Sequence, residues 1–114
     1  MKILTQKISI PELQDMAGRM FGNLVKAVVD VEKRIIVVYA ELHSDQENLL
    51  LGNGSRQQDL WGINLYPEFP KDDENFVEFD SMINLRPAYN NKSRSVENPE
   101  IRRKIAEIVK EWVE

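Results

Sequence analysis

Two β-rich runs that follow each other almost directly constrain the fold of this chain most. Leu24–Val31 has valine or alanine at alternate positions, with Lys26 and Asp30 on the opposite face, and Arg34–Leu42 is apolar on both faces. Alternate burial of this kind is typical of a β-strand. Because only Glu32–Lys33 links the two runs, an antiparallel hairpin is the simplest topology. We predict that the second run is a central strand covered on both sides.

Two later runs complete a predicted sheet of four strands. Leu60–Tyr66 alternates apolar and polar residues, and Phe76–Arg86 does the same after an acidic loop at 67–75. We expect these runs to form a second hairpin, which ends at Pro87 because proline has no amide proton for the ladder. The predicted inward residues are Trp61, Ile63 and Leu65 in the first run, and Val77, Phe79, Ser81, Ile83 and Leu85 in the second.

Helix signals flank this sheet at both ends of the chain. Ser9 and Glu12 have the spacing of a capping box, and Gly22 is suited to a helix end. Asn98 followed by Pro99 predicts the start of a last helix. Its apolar stripe, which we expect to pack on the sheet, consists of Ile101, Ile105, Ile108 and Trp112. The segment 44–52 reads either as a short helix or as a further β segment, and the sequence leaves both open.

These patterns predict a single α+β domain over residues 1–114, with a mainly antiparallel four-stranded sheet and N-terminal and C-terminal helices packed on it. The chain has no cysteine, which excludes disulfides, thiolate metal sites and a cysteine nucleophile and fits a cytoplasmic location. No segment is apolar enough for a signal peptide or a membrane span. A formal net charge of −4 makes nucleic acid an unlikely general partner.

The first candidate site is centred on His43, the only histidine of the chain. In an extended segment Glu41, His43 and Asp45 point to the same side. A carboxylate such as Glu41 can orient the imidazole, which then acts as an acid or base near neutral pH. The alternative is that Asp45 and Ser44 start a helix and that His43 is at the solvated end of a strand. One histidine with scattered carboxylates does not match a zinc pattern, so we predict no metal site.

The second candidate is the donor-rich segment 84–94, which leaves a predicted strand and approaches a helix start. Its basic residues Arg86, Lys92 and Arg94 are suited to a small anionic ligand, since arginine binds carboxylate or phosphate with paired hydrogen bonds. The alternative is a solvated loop before a capped helix. No glycine-rich nucleotide fingerprint is present, so the sequence indicates no cofactor.

A third hypothesis concerns the polar face of the predicted second hairpin. Asn64 on one strand, and Asp80, Asn84 and Arg86 on the other, alternate with the predicted core residues. If the strands pair, Asn64 lies on one face with Asn84 or Arg86. His43 and Glu41 would then reach the same face and complete a polar cleft.

Several short segments resemble a small prokaryotic family of single-domain proteins of unknown function. They are Val29–Lys33, Glu41–His43, Gly54–Ser55, Asp59–Asn64 and Ile83–Pro87. The resemblance covers nearly the whole chain and implies a complete small protein. It implies no activity, cofactor or partner.

Three functions are compatible with these features. The first is a non-enzymatic binding or interaction module that self-associates, for example as a homodimer. The second is a small hydrolase acting on a phosphorylated substrate or RNA, with His43 as acid–base, Glu41 as its orienting group, and Arg86 with Lys92 or Arg94 as anion holders. The third is a nucleic-acid-contacting regulator that uses the basic C-terminal end. The small size and the lack of a catalytic motif favour the first.

Overall fold

The predicted hairpin at Glu32–Lys33 is the centre of a five-stranded antiparallel sheet. The structure is a computed structural model, and it describes all residues from 1 to 114. The strands are β1 (Lys2–Ile3), β2 (Val25–Asp30), β3 (Ile35–Val38), β4 (Leu60–Leu65) and β5 (Val77–Glu78). They lie in the order β1-β3-β2-β4-β5, and every neighbouring pair is antiparallel.

The register of β2 divides the sheet into two faces. Val25, Ala27 and Val29 pair with alternate residues of β4, which places Trp61 and Ile63 on the same face. This face carries the main core of 18 buried residues. The opposite face has a smaller core, which consists of Val28, Val37, Leu50 and Leu60.

Helices α1 (Ile10–Met20) and α3 (Pro99–Trp112) cover the main core, as the sequence predicts. Ser9 Oγ accepts the backbone N–H of Glu12 at the start of α1. Asn98 Oδ1 accepts the N–H of Glu100 at the start of α3. The predicted stripe of α3 turns inward, and Ile105 and Ile108 are fully buried. Trp112 also donates from Nε1 to the carbonyl of Arg34, at 3.0 Å.

Helix α2 (His43–Gly52) covers the second face, so the helical alternative for 44–52 is the one observed. His43, Gln46 and Leu50 are its buried residues, and their spacing puts them on one side of the helix. Gln46 Nε2 donates to the carbonyl of Lys26 at 2.8 Å. The helix is therefore attached to the sheet by polar groups as well as by Leu50. None of the three α-helices combines the length and the apolar composition needed to span a membrane.

The predicted strand 76–86 is wrong beyond Glu78. Only Val77–Glu78 pairs with β4, and the chain then forms a 3₁₀ turn at Met82–Asn84. The single inward face predicted for this run does not exist, since Ser81 is buried whereas Leu85 is exposed. A short 3₁₀ turn follows at Pro87–Tyr89, where the sequence predicts only the end of a strand.

The other strand predictions need smaller corrections. The sheet has five strands and not four, because the two-residue β1 is too short to show a pattern. The run 34–42 forms a strand only up to Val38, since Tyr39 has a positive φ of 68° that breaks the ladder. Helices α2 and α3 cover β3 on both faces as predicted, but the central strand of the sheet is β2.

Candidate ligand-binding cleft

A cleft of about 490 Å³ opens on the α2 face of the sheet, between the start of α2, strands β2, β4 and β5, and the loop after β5. Two exposed apolar side chains, Leu42 and Met82, lie at its edge. Its ionisable and amide side chains are Lys26, His43, Asn64, Tyr66, Glu78, Asp80 and Arg94.

The floor of the cleft is a row of three cross-strand partners. Lys26 of β2 is opposite Asn64 of β4, which is opposite Glu78 of β5. Asn64 Nδ2 donates to Glu78 Oε1 at 2.8 Å and to the carbonyl of Asp80 at 3.2 Å. These two acceptors fix the orientation of the amide, because reversing it would bring oxygen against oxygen. Asn64 Oδ1 is buried and accepts no hydrogen bond.

Glu78 also binds the hydroxyl of Tyr66, which donates to Glu78 Oε1 at 3.0 Å. Burial raises the pKa of Tyr66, and the neighbouring Glu78 raises it further. The phenol is therefore a neutral donor at physiological pH. Glu78 Oε1 thus receives two donors from within the protein, whereas its second oxygen receives none.

His43 is 8 % exposed and lies beside Asn64. Its Nε2 is 2.8 Å from the carbonyl of Ile63, which can only accept, so Nε2 carries the proton and Nδ1 is left with a lone pair. Burial lowers the pKa of His43, and the positive charge of Lys26 lowers it further. The contacts with Ile63, Asp80 and Asn64 act in the opposite direction. The net lowering makes His43 a neutral acceptor in the cleft at neutral pH.

The two cations of the cleft are already occupied. Arg94 Nε donates to Asp80 Oδ1 at 2.9 Å, in a pair that is about half exposed. Lys26 Nζ lies 4.9 Å from the centre of the Phe21 ring, in a cation–π contact at the end of α1. The formal charges of Lys26, Arg94, Glu78 and Asp80 sum to zero when His43 is neutral.

Glu41 does not lie beside His43. The alternation expected for residues 41–45 requires an extended chain, but α2 begins at His43. Glu41 and Asp45 line a separate shallow depression with Tyr39. The structure therefore brings no carboxylate into hydrogen-bonding contact with the imidazole.

Asn84 and Arg86 are buried near the cleft, but neither lines it. Asn84 bonds the backbone of Gly62 with its side-chain amide. The Arg86 guanidinium donates to the carbonyls of Gln57 and Leu60 and stacks on the ring of Trp61, 4.4 Å from its centre. Both side chains are therefore engaged in holding the fold.

The charge of Arg86 is partly balanced inside the protein. Burial lowers the pKa of Arg86, while the nearby carboxylate of Glu47 raises it. Burial also raises the pKa of Glu47, and Arg86 opposes that change. The pair behaves as a structural charge contact rather than as a free anion site.

Lys92 lies outside the cleft, with an exposed side chain. Its backbone N–H donates to Glu97 Oε1 at 3.0 Å. Asn91 is buried beside it and donates from Nδ2 to the carbonyls of Asn84 and Ser95, each at 2.7 Å. The predicted anion-binding segment is thus organised by two buried asparagines, and its three basic side chains do not converge.

No group of three or more histidine, cysteine, aspartate or glutamate side chains in the structure is arranged to hold a metal ion.

The model of a family described as proteins of unknown function, DUF5674, matches residues 2–112. The chain belongs to the DUF5674 family. The resemblance inferred from the short segments is thereby confirmed, and the match includes every residue of the cleft. Neither the comparison with curated proteins nor the comparison with solved structures returned a match.

In this DUF5674 chain the cleft contains three of the seven residues that the sequence singles out, His43, Asn64 and Arg94. The others, Glu41, Asn84, Arg86 and Lys92, lie elsewhere. The sequence analysis missed Lys26 and Glu78 as site residues. Their signal is the same alternation that indicated Asn64 and Asp80, because each occupies a polar position between inward-facing residues of its strand.

Proposed function

We propose that this protein is a non-enzymatic binding module that holds a small polar ligand in the cleft between α2 and the β4–β5 edge. The observation that carries the proposal is the state of Asn64, which is 6 % exposed and whose Oδ1 has no donor. An unpaired buried acceptor is costly, by about 1–3 kcal/mol, so such groups usually have a partner. A ligand or an ordered water in the cleft would supply that donor.

A hydrolase has less support from the geometry. In that hypothesis His43 and Arg86 act on the same substrate, but Arg86 is not among the residues that line the cleft. The imidazole donates to a backbone carbonyl, and no carboxylate orients it. His43 instead helps attach α2 to the sheet, which is a structural role.

Self-association is the second part of the proposal. Leu42 and Met82 are 54 % and 63 % exposed at the edge of the cleft. Exposed apolar side chains next to a polar cleft are suited to contact with a second copy or with the apolar part of a ligand. We keep the cytoplasm as the expected compartment, and a homodimer as the expected state. Light scattering that gives the monomer mass at all concentrations would exclude the dimer.

Nuclear magnetic resonance tests ligand binding directly. The side-chain amide of Asn64 and the backbone amide of Ser81 report on the cleft, and the panel is inorganic phosphate, glucose and agmatine. We expect at least one compound to shift these signals at millimolar concentration, and Asn64→Ala to abolish the effect. Asn48→Ala, at an exposed position of α2, is the matched control. Signals that stay unchanged with all three compounds, or shifts that persist in Asn64→Ala, would count against the proposal.

A further inference from the structure

We infer that the ligand carries a protonated amine or guanidinium group, and that Glu78 and Asp80 bind this group. The inference rests on the proposed binding function of the cleft and goes further by naming the chemistry of the ligand. It concerns a small aliphatic amine or guanidine, with a positively charged head and an apolar stem.

Hydrogen-bond acceptors outnumber free donors in the cleft. Glu78 and Asp80 each use one carboxylate oxygen within the protein, whereas Glu78 Oε2 and Asp80 Oδ2 accept no hydrogen bond. Asn64 Oδ1 is a third free acceptor, and its side chain is almost wholly buried. His43 Nδ1 is a fourth, because Nε2 carries the proton. A ligand rich in N–H donors matches this set better than an anion does.

The protein itself provides an example of the contact. The guanidinium of Arg94 already binds Asp80, so this wall of the cleft accommodates a planar cation. Arg94 is more than half exposed and leaves Glu78 uncontacted. Lys26 stacks on Phe21 and does not pair with either carboxylate. The free oxygen of Glu78 is therefore the acceptor left for an incoming cation.

The edge of the cleft is suited to the rest of such a ligand. Leu42 and Met82 are exposed on the same side as the two carboxylates. An aliphatic stem lying against them would remove apolar surface from water, at about 25 cal/mol per Å². The combination of a carboxylate wall and an apolar edge favours an alkyl amine or alkyl guanidine over a sugar or a free anion.

His43 makes this binding dependent on pH. The charged or titratable groups around it are Lys26 on β2, Tyr66 after β4, Glu78 on β5, and Asp80 and Arg94 beyond it. A proton on His43 would add a positive charge close to the bound cation. Affinity for the cation is therefore highest while His43 is neutral, and it decreases when the pH falls far enough to protonate it.

The test is calorimetric titration of the full chain with agmatine, which has a guanidinium and an amine on an alkyl stem. We expect agmatine to bind and Glu78→Gln to weaken its affinity about three- to tenfold, as expected for the loss of a partly exposed ion pair. Glutamine keeps the acceptor for Asn64 and Tyr66, so the floor of the cleft is preserved. Glu41→Gln, which removes the same charge outside the cleft, should leave the affinity unchanged.

The other outcomes separate the two proposals. If phosphate or glucose shifts the cleft signals and agmatine does not bind, the inferred ligand chemistry is wrong although the cleft still binds a ligand. If none of the three compounds binds, both proposals fail. If Glu78→Gln and Glu41→Gln weaken agmatine equally, the attraction is a general effect of the negative net charge, and the inference is overturned.

Discussion

The side-chain amide of Asn84 forms hydrogen bonds with both backbone groups of Gly62. Asn84 Oδ1 accepts the Gly62 N–H at 2.8 Å, and Nδ2 donates to the Gly62 carbonyl at 2.9 Å. The amide thus takes the place of a neighbouring strand at the point where β5 has already ended. Nδ2 also donates to the carbonyl of Arg94 at 3.0 Å, which ties the following loop to the sheet.

Replacing Asn84 with alanine should strongly destabilise the fold. The change leaves buried backbone groups of Gly62 and Arg94 without partners, and each unpaired group costs about 1–3 kcal/mol. We expect Asn84→Ala to lower the free energy of unfolding by at least about 3 kcal/mol in urea denaturation. Asn48→Ala, at an exposed helical site, should change it by less than about 0.5 kcal/mol. Equal effects of the two variants would contradict the role assigned to Asn84.

Gly62 is required because Ser81 lies directly against it. A Cβ at position 62 would be 2.5 Å from Ser81 Cβ and 2.6 Å from Ser81 Oγ. We expect Gly62→Ala to cost about 1–3 kcal/mol, in the range of other overpacked cores, and Ser81→Gly in the same chain to recover part of the loss. Gly18→Ala is the control, since nothing lies within 4 Å of its new Cβ. It should stabilise α1 by up to about 1 kcal/mol, measured by thermal or urea unfolding.

The titration of His43 should be visible in a single histidine signal, because the chain has only one histidine. Burial holds the pKa of His43 below the ordinary value of 6.5. The resulting stability is complete above pH 6.5 and is lost as the pH falls towards the lowered pKa, because the unfolded chain binds the proton first. Nuclear magnetic resonance of the imidazole and urea unfolding between pH 4 and 8 measure both effects.

Two variants test the causes of this shift. Lys26→Met removes a positive neighbour and should raise the pKa of His43, whereas Asp80→Asn removes a negative neighbour and should lower it. A pKa that moves in the opposite direction in either variant would contradict the geometry of the cleft.

Arg86 should matter for stability and not for anion binding. Arg86→Ala removes donors from the carbonyls of Gln57 and Leu60 and the cation stacked on Trp61. We expect a loss of about 2–4 kcal/mol in urea unfolding, with Arg86→Lys recovering only part because lysine lacks the planar fork. Arg94→Ala, which breaks an exposed ion pair, should cost at most about 1 kcal/mol. A stable Arg86→Ala variant with reduced phosphate affinity would support the anion-binding prediction instead.

Several features of the fold and of the cleft could be predicted from local patterns. The β2–β3 hairpin follows from alternation and a two-residue link, and both helix starts follow from side chains that bond their own first turn. Asn64 was identified in the same way, from its position between inward-facing residues of β4. Glu78 is accessible to the same reasoning, because its strand partner is Asn64.

The sequence by itself determined the α+β class, the alternation of the central strands and the bounds of two helices. These depend on backbone geometry and on contacts within a few residues. Only the tertiary structure decided that the chain after Glu78 leaves the sheet, that Asn84 replaces a strand there, and that His43 and Asn64 meet whereas Glu41 and Arg86 turn elsewhere. The physical reason is that such contacts join residues about 20 positions apart. Whether a side-chain amide or a strand satisfies the edge of β4 depends on the space that Gly62 leaves, and no local pattern contains that information.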